Sequence, residues 1–578
     1  MKKGNKKLNV SIIGSGFSSL SAACYLAKEG YNVSVFEKNP TLGGRARKMT
    51  DDLGLGFTFD MGPSWYWMPE VFDNFFADFD KETADYWDLI PLDPGFRMVF
   101  DTENKKYLDL DKDLNKVFEL FQSLEAQAGG ENGAQKLKDL LIDGKFTYNN
   151  AINNYMLSSG RNLAEYLNLD FIGGVLKGGL LKSYGKKIKS QFKNKELQKL
   201  LEFPVLFLGA KPEKIPYLYS LMAYTMIEHG TYYPMGGISS IVDGMVKLGD
   251  SLGVKYYVNS EIKHTEIENG KIKKLIIFDH QRVANKEKIA NLTESTFELV
   301  PELNGKKLKK SKKVISNSVN TPATKNDIIS QNLSAICPES NITDHYEIKT
   351  DWVVNGGDYY HFEQNILEEK YRKYSQKHWD KQVLSPSALI CYIGLDVKLD
   401  QSKILHHTLF FDSDFNTHAA SIYESKDWPA QKPLFYLCTP SKTDPNVAKK
   451  GNENLFLLMP LAPDCIDTPE MRDKFIDQMI DRVDLFLGGK ESGKSIKKHI
   501  IYRKSYCVDD FKSDYFAYKG NAYGLANTLL QTGPLKPSII NPKIKNLFNC
   551  GQLTVPGPGI PPCIFSGKIA ARELTNKN

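Results

Sequence analysis

The stretch Asn9–Arg47, NVSIIGSGFSSLSAACYLAKEGYNVSVFEKNPTLGGRAR, constrains the fold more than any other part of the chain. Val10–Ile13 is an apolar, β-branched run that reads as a buried parallel strand. It breaks at Gly14-Ser15-Gly16, after which Leu20, Cys24, Leu26 and Ala27 keep helical spacing. Val33–Phe36 is a second strand, and it ends in Glu37-Lys38. Strand, glycine turn, helix, strand and acid, in that order, make a dinucleotide-binding unit. Gly14 permits the tight turn and Gly16 lets the backbone approach a pyrophosphate. The helix start at Phe17-Ser18 offers unpaired N–H groups and a positive dipole end to the phosphates. Glu37, about 20 residues on, is placed to accept hydrogen bonds from a ribose. The third glycine of the fingerprint is replaced by Ser19, still small enough for helix and strand to pack. An ordinary βαβ unit with a glycine turn would account for these elements, but not for the glycines and arginines just past Glu37.

Those residues are Gly43-Gly44-Arg45-Ala46-Arg47. Adjacent glycines bring backbone N–H groups close to an anion, and the two arginines add charge-assisted donors. Phe57–Asp60 is then a short strand turning into Met61-Gly62-Pro63-Ser64. Near the C-terminus, Asn546–Pro562 reads NLFNCGQLTVPGPGIPP. There a strand, Gly551-Gln552, a turn through Gly559-Ile560-Pro561 and a helix from about Cys563 to Leu574 form a second phosphate-facing nest.

The 578 residues, 41% of them hydrophobic, are enough for two to four domains with sizeable cores. A net charge of +6 is too mild to imply nucleic acid. The eight cysteines are scattered without a close pair, so neither a zinc site nor a disulfide framework is expected, and a reducing cytoplasm fits them. The basic start is followed by an apolar run too short for a signal peptide, and no run reaches the ~18 apolar residues of a spanning helix. Membrane contact, if made, is peripheral.

Between the nests the texture varies. Trp65, Trp67 and Trp87 read as packing under a cap. Phe171–Leu200 carries eight lysines against one glutamate, interleaved with apolar residues. Such a segment suits an anionic membrane surface or a solvated helix face equally. Pro204, Pro212 and Pro216 rule out one continuous helix over Phe203–Tyr224. A helix starts at Ser239, Val254–Ile262 reads as one strand, and Ile272–Phe278 as its hairpin partner. Residues 281–350 are polar and include Lys306–Lys313; this is an insertion and a solvated loop rather than a nucleic-acid patch. The sequons at Asn291 and Asn341 drop away without a secretory signal. Order returns at Asp351–Asp358. His406 and His407 are adjacent, and strand neighbours face opposite ways, so a shared metal ion is not expected. Pro469–Leu487 is an amphipathic helix.

Gly43-Gly44-Arg45, the closing GQLTVPGPGIPP, and the stretches SPSALICYIGLD, HHTLFF and ENLFLLMPLAP together resemble the bacterial-type phytoene desaturases. These form part of the flavoprotein amine-oxidase and carotenoid-desaturase superfamily, and the likeness covers all but roughly 281–350. The resemblance implies an α/β fold with a discontinuous Rossmann-type FAD-binding domain at 1–110, 230–280 and 505–578. It implies a mixed-sheet substrate domain with a helical, membrane-facing part at 111–229 and 351–504. FAD would lie against Gly14–Ser18, Glu37, Lys38, Gly43–Arg45, Gly62–Ser64, Gly551, Gln552 and Gly559–Pro561, with the backbone of Ile262 at the adenine. The implied chemistry is hydride transfer to flavin from an acyclic C40 carotenoid, phytoene or a later intermediate, while the neighbouring carbon loses a proton. Oxygen or a quinone would take the electrons, and the protein would be cytoplasmic and peripherally bound to a membrane. No catalytic acid or base can be named; Asp396, Asp400 and His407, near the implied tunnel strand, are candidates. Carotenoid isomerisation or saturation, oxidation of an amine or protoporphyrinogen, and a flavin-free membrane scaffold stay open.

Overall fold

The computed structural model describes residues 7–161, 165, 180–281, 345–400, 402–489 and 495–578. The Lys306–Lys313 cluster, both sequons and Phe171–Gly179 lie outside the described residues. Asn9–Ile13 (β1) is the middle of a five-stranded parallel sheet of order β5-β4-β1-β2-β3. The other strands are Asn32–Phe36 (β2), Lys255–Tyr257 (β3), Trp352–Asn355 (β4) and Leu547–Asn549 (β5). Parallel strands need crossovers that cover both faces, so they carry apolar residues on both. In β4, Val354 enters one core with Ile12 and Val35, while Val353 enters the other with Phe36. Helices Phe17–Lys28 (α1), Ser239–Ser251 (α2) and Ile560–Lys577 (α3) pack on the first face, with α1 between the other two.

The departure at Ser19 has a visible compensation. Ser19 is fully buried in α1, and a Cβ placed on Gly356, just past β4, would lie 2.0 Å from its hydroxyl. The space lost by enlarging the helix residue is returned by a glycine on the neighbouring strand exit.

Val254–Ile262 is not one strand. The chain passes through left-handed Asn259 (φ 55°) and divides into β3, in the parallel sheet, and Ser260–Glu268. The latter joins Lys271–Asp279 and His345–Lys349 in an antiparallel sheet. Trp352–Asn355, expected to open the substrate part at 351, is instead β4 in the nucleotide-binding sheet. Phe96–Asp101 and Lys106–Leu110, expected in the first part, belong to the large second sheet.

That second sheet has seven strands, running Ile500–Tyr506, Ser387–Leu395, Glu453–Leu461, Phe435–Cys438, His407–Phe410, Phe96–Asp101 and Lys106–Leu110. Its strand Ser387–Leu395 is buried at all nine positions. One face is covered by Pro469–Leu487, and the other by the helical layer that includes Leu114–Gln127, Gly133–Asn150 and Lys195–Glu202. As the prolines require, Phe203–Tyr224 breaks into short helical turns.

Candidate active site

Where β1 ends, Gly14 takes φ 81° and its N–H bonds to Phe36 O at 2.8 Å, turning the chain into α1. Gly43 (φ 114°) and Gly44 (φ 56°) are both left-handed, and a Cβ on Gly44 would crowd Gly16 Cα at 3.2 Å. Two glycine segments thus meet backbone to backbone over the start of α1. They wall a cavity of ≈ 280 Å³ completed by Gly62-Pro63, Ile262, Gly551-Gln552 and Gly559-Ile560. Of the expected flavin-contacting residues, Gly14–Ser18, Glu37, Lys38 and Gly43–Arg45 line it as well. Ser64 and Pro561 do not; they face a second cavity.

The two arginines separate. Arg47 is turned away onto Asp514 (2.8 Å) and Tyr515 (3.3 Å), where it fixes structure. Arg45 lines the cavity, its guanidinium 4.9 Å from the Tyr515 ring centre and its Nε buried with no partner. An orphaned cationic donor beside stacked left-handed glycines fits the diphosphate of FAD. A Cβ on Gly16 would meet nothing within 4 Å, which leaves the approach to its backbone open. Glu37 is buried, accepting from Ser15 N (3.0 Å), Ser15 Oγ (2.6 Å), Asn39 N (2.9 Å) and Asn39 Nδ2 (2.8 Å). A ribose hydroxyl therefore competes with donors already seated on that carboxylate. Sequence reasoning missed Asp358, His361, Tyr515 and Phe516, which also line this cavity. Burial pushes Asp358 up to about 6, and His361 stacks on Phe516 at 4.0 Å. Only the Asn355–Asp358 turn left a trace in the sequence; Val508–Tyr515 looks like any mixed surface helix.

The second cavity, ≈ 310 Å³, shares Gly62, Pro63, Leu458, Tyr523, Gly559 and Ile560 with the first. Aromatic and aliphatic side chains from the helical layer and the large sheet wall it. Among the described residues its lining holds no carboxylate, ammonium or guanidinium. Trp65 and Trp67, expected as simple packing, are part of that wall. The wall's polar atoms are largely spent inside the protein. Ser64 Oγ meets Tyr436 OH at 2.9 Å, Trp67 Nε1 donates to Thr231 at 3.0 Å, and His418 accepts from Leu434 N at 2.9 Å.

The acid–base candidates fare poorly. Asp396 pairs with His499 on the surface (2.8 Å) and Asp400 folds onto Ser402; neither lines either cavity. His407 lies behind the wall, bonded through Nδ1 to Tyr436 OH at 2.6 Å. Burial holds it well below the ordinary imidazole value, so it is a neutral and weak base. The expected divergence of the two histidines is not found. His406 precedes the strand His407–Phe410 and escapes its alternation, so the rings meet 4.6 Å apart at 65°.

The family model of an NAD(P)-binding Rossmann-like domain matches residues 12–81. Over its whole length the chain is similar to a carotenoid 3,4-desaturase of Haloarcula japonica, 33% identical over 98% of both chains. It is 26% identical to a 4,4'-diapophytoene desaturase (4,4'-diaponeurosporene-forming) of Staphylococcus aureus, again over 98% of each. Among solved structures, an oxidoreductase from Methanosarcina mazei superposes with a TM-score of 0.55 at 16% identity, covering 97% of this chain and 99% of that one. Cyclohexylamine oxidase from Brevibacterium oxydans does so with 0.52 at 12%, covering 99% of each; both likenesses are of fold. With a diphosphate cradle opening onto an uncharged apolar cavity, and full-length kinship to these desaturases, the chain belongs to the carotenoid desaturase family and is an FAD-dependent oxidoreductase.

Proposed function

We propose that this chain introduces double bonds into an acyclic C40 carotenoid, phytoene or a later intermediate. The carrying observation is the junction at Gly62-Pro63 and Gly559-Ile560, where the cradle for FAD opens into the uncharged second cavity. A polyene offers no charge to grip, so its binding rests on buried apolar area at ~25 cal/mol per Å². When bound, FAD supplies the hydride acceptor. The chain's own work is placement. Trp65, Trp67, Phe203 and Phe411 form a water-excluding wall, and Ser64, Tyr436 and His418 keep their polar atoms engaged within it. Among the described residues the lining offers an ammonium substrate no carboxylate to pair with.

Expression in hosts accumulating phytoene, and separately a more unsaturated acyclic carotenoid, tests this. The expected product is lighter by pairs of hydrogens and red-shifted. A geometric isomer of unchanged mass would favour the isomerase reading. Both substrates unchanged beside flavin-loaded protein would remove the proposal.

The membrane and the electron acceptor belong to the same proposal. Among the described residues no helix is long and apolar enough to cross a membrane. Several lysines of the basic segment are engaged locally: Lys193 with Gly129 O (2.7 Å), Lys199 with Phe411 O (3.0 Å) and Lys189 with Glu213. Leu529, Leu530 and Leu535 are three exposed apolar side chains close together in sequence. This loop reaches the cavity wall where Thr532 meets Tyr219 at 3.3 Å. A greasy lip there suits entry of substrate from lipid, and a lipid-dissolved quinone or oxygen would reach the flavin by the same mouth.

A further inference from the structure

His406 and His407 have no part in either cavity, yet both are buried and both leave Nε2 without a hydrogen-bond partner. An unpaired buried imidazole nitrogen is costly, and two side by side call for an explanation. Each ring is oriented from its other nitrogen: His406 Nδ1 lies 2.7 Å from Thr443 Oγ1, and His407 Nδ1 lies 2.6 Å from Tyr436 OH. In the tautomer that donates from Nδ1 to these hydroxyls, Nε2 carries the lone pair in both rings. Cys438 lies directly across the antiparallel pair from His407, so the two side chains share a face. One ring nitrogen of each histidine and the Cys438 sulfur fall within 4.8 Å of one another, all three residues buried.

We infer that His406, His407 and Cys438 form a site for a borderline-soft transition ion, zinc being the ion that two imidazoles and a thiolate suit. Zinc bonds of about 2.0–2.3 Å hold tetrahedral ligand atoms about 3.5 Å apart, a closure within reach of side-chain rotation from the observed spacing. The hydroxyls of Thr443 and Tyr436 occupy the positions from which histidine ligands are normally steadied. Through His407 the ion would fix Tyr436, and with it Ser64 on the wall of the second cavity. The site is separate from the flavin cradle and would form whichever carotenoid is converted.

The test uses tag-free, FAD-loaded full-length protein stripped with a chelator and titrated with Co²⁺, then Zn²⁺. One Co²⁺ per chain is expected, with intense tetrahedral d–d bands to the red of the flavin absorption and a thiolate charge-transfer band, both abolished by equimolar Zn²⁺. Cys438→Ala should lose the charge-transfer band, and Thr443→Val should weaken Zn²⁺ binding about 10–100-fold with the ligands intact. Wild-type protein that takes up no stoichiometric Co²⁺, or gives only the weak octahedral spectrum, overturns the inference. That result decides the matter even where a variant fails to fold.

Discussion

Ser19 marks a place where one residue's size is set by another 337 positions away, and the pair can be tested as a pair. Gly356→Ala puts a methyl group where the Ser19 hydroxyl sits, and overpacking of this kind costs about 1–3 kcal/mol. Ser19→Gly in the same chain should recover most of that loss, giving a favourable coupling in a double-mutant cycle read by urea unfolding of the apoprotein. Additive losses would show that the two do not share the space. Gly16 is the opposite case. It has φ −69° and open space around its Cβ position, so Gly16→Val should cost the apoprotein only about 1 kcal/mol, for a poorer N-cap residue. It should nonetheless abolish the yellow colour, because the added methyl groups occupy the approach to the backbone. A yellow Gly16→Val protein would move the cofactor elsewhere. Both glycines of the fingerprint could be read from sequence by their spacing; the role of Gly356 could not, because its partner lies on another element.

At the scale of elements, Pro469–Leu487 is held to the large sheet partly by a buried ion pair. Arg482 donates to Asp412 and to Pro433 O, and Asp412 also takes Lys432 at 2.6 Å. Arg482 and its neighbours hold Asp412 below the ordinary carboxylate value against the pull of burial. A carboxyl with a depressed folded-state pKa contributes stability above its unfolded value of about 3.9, and that stability is lost as pH falls through the lower folded value. Asp412→Asn leaves Arg482 buried and uncompensated, which costs about 3–5 kcal/mol near neutral pH. The gap to wild type should narrow as pH drops below 4, measured by thermal or urea unfolding; a gap independent of pH would rule out the ionic account. The helix itself was legible, since its ends and apolar stripe are local signals. So were β1, α1, β2 and the closing nest. Assignment of strands to sheets was not: β3 and Ser260–Glu268 are one continuous strand pattern in sequence, and only the turn at Asn259 sends them to different sheets. Trp352–Asn355 likewise looks like any buried strand until its pairing with β1 is seen.

At the scale of the whole molecule, both cavities are assembled from distant segments, so their lining could be guessed only where glycine motifs announced it. The apolar lip was hidden in the same way, because Leu529, Leu530 and Leu535 stand in two three-residue 3-10 turns too short to show a periodicity. Leu530 is 79% exposed; Leu530→Asp should leave folding and flavin content unchanged yet reduce co-sedimentation with anionic lipid vesicles, and equal sedimentation would place the membrane face elsewhere. Residues 282–344 also bear on the architecture as a whole, through the strands on either side of them. Lys271–Asp279 and His345–Lys349 are antiparallel neighbours, with Phe278 opposite His345 at the end of the ladder. The chain therefore leaves and re-enters the nucleotide-binding half at adjacent points, and the geometry there is that of a hairpin. Replacing 282–344 with a short glycine-containing turn asks nothing new of the flanking strands. A connection about sixteen-fold shorter between the two paired strand ends lowers the entropic cost of closure by roughly 2 kcal/mol, at about 0.6 per halving. The shortened protein should accordingly bind FAD and resist urea at least as well as the parent. If it also converts carotenoid at the parent's rate, neither cavity depends on the excised residues. If flavin is retained while turnover falls, those residues act on substrate or acceptor delivery; loss of flavin would show that they help to build the nucleotide-binding half itself.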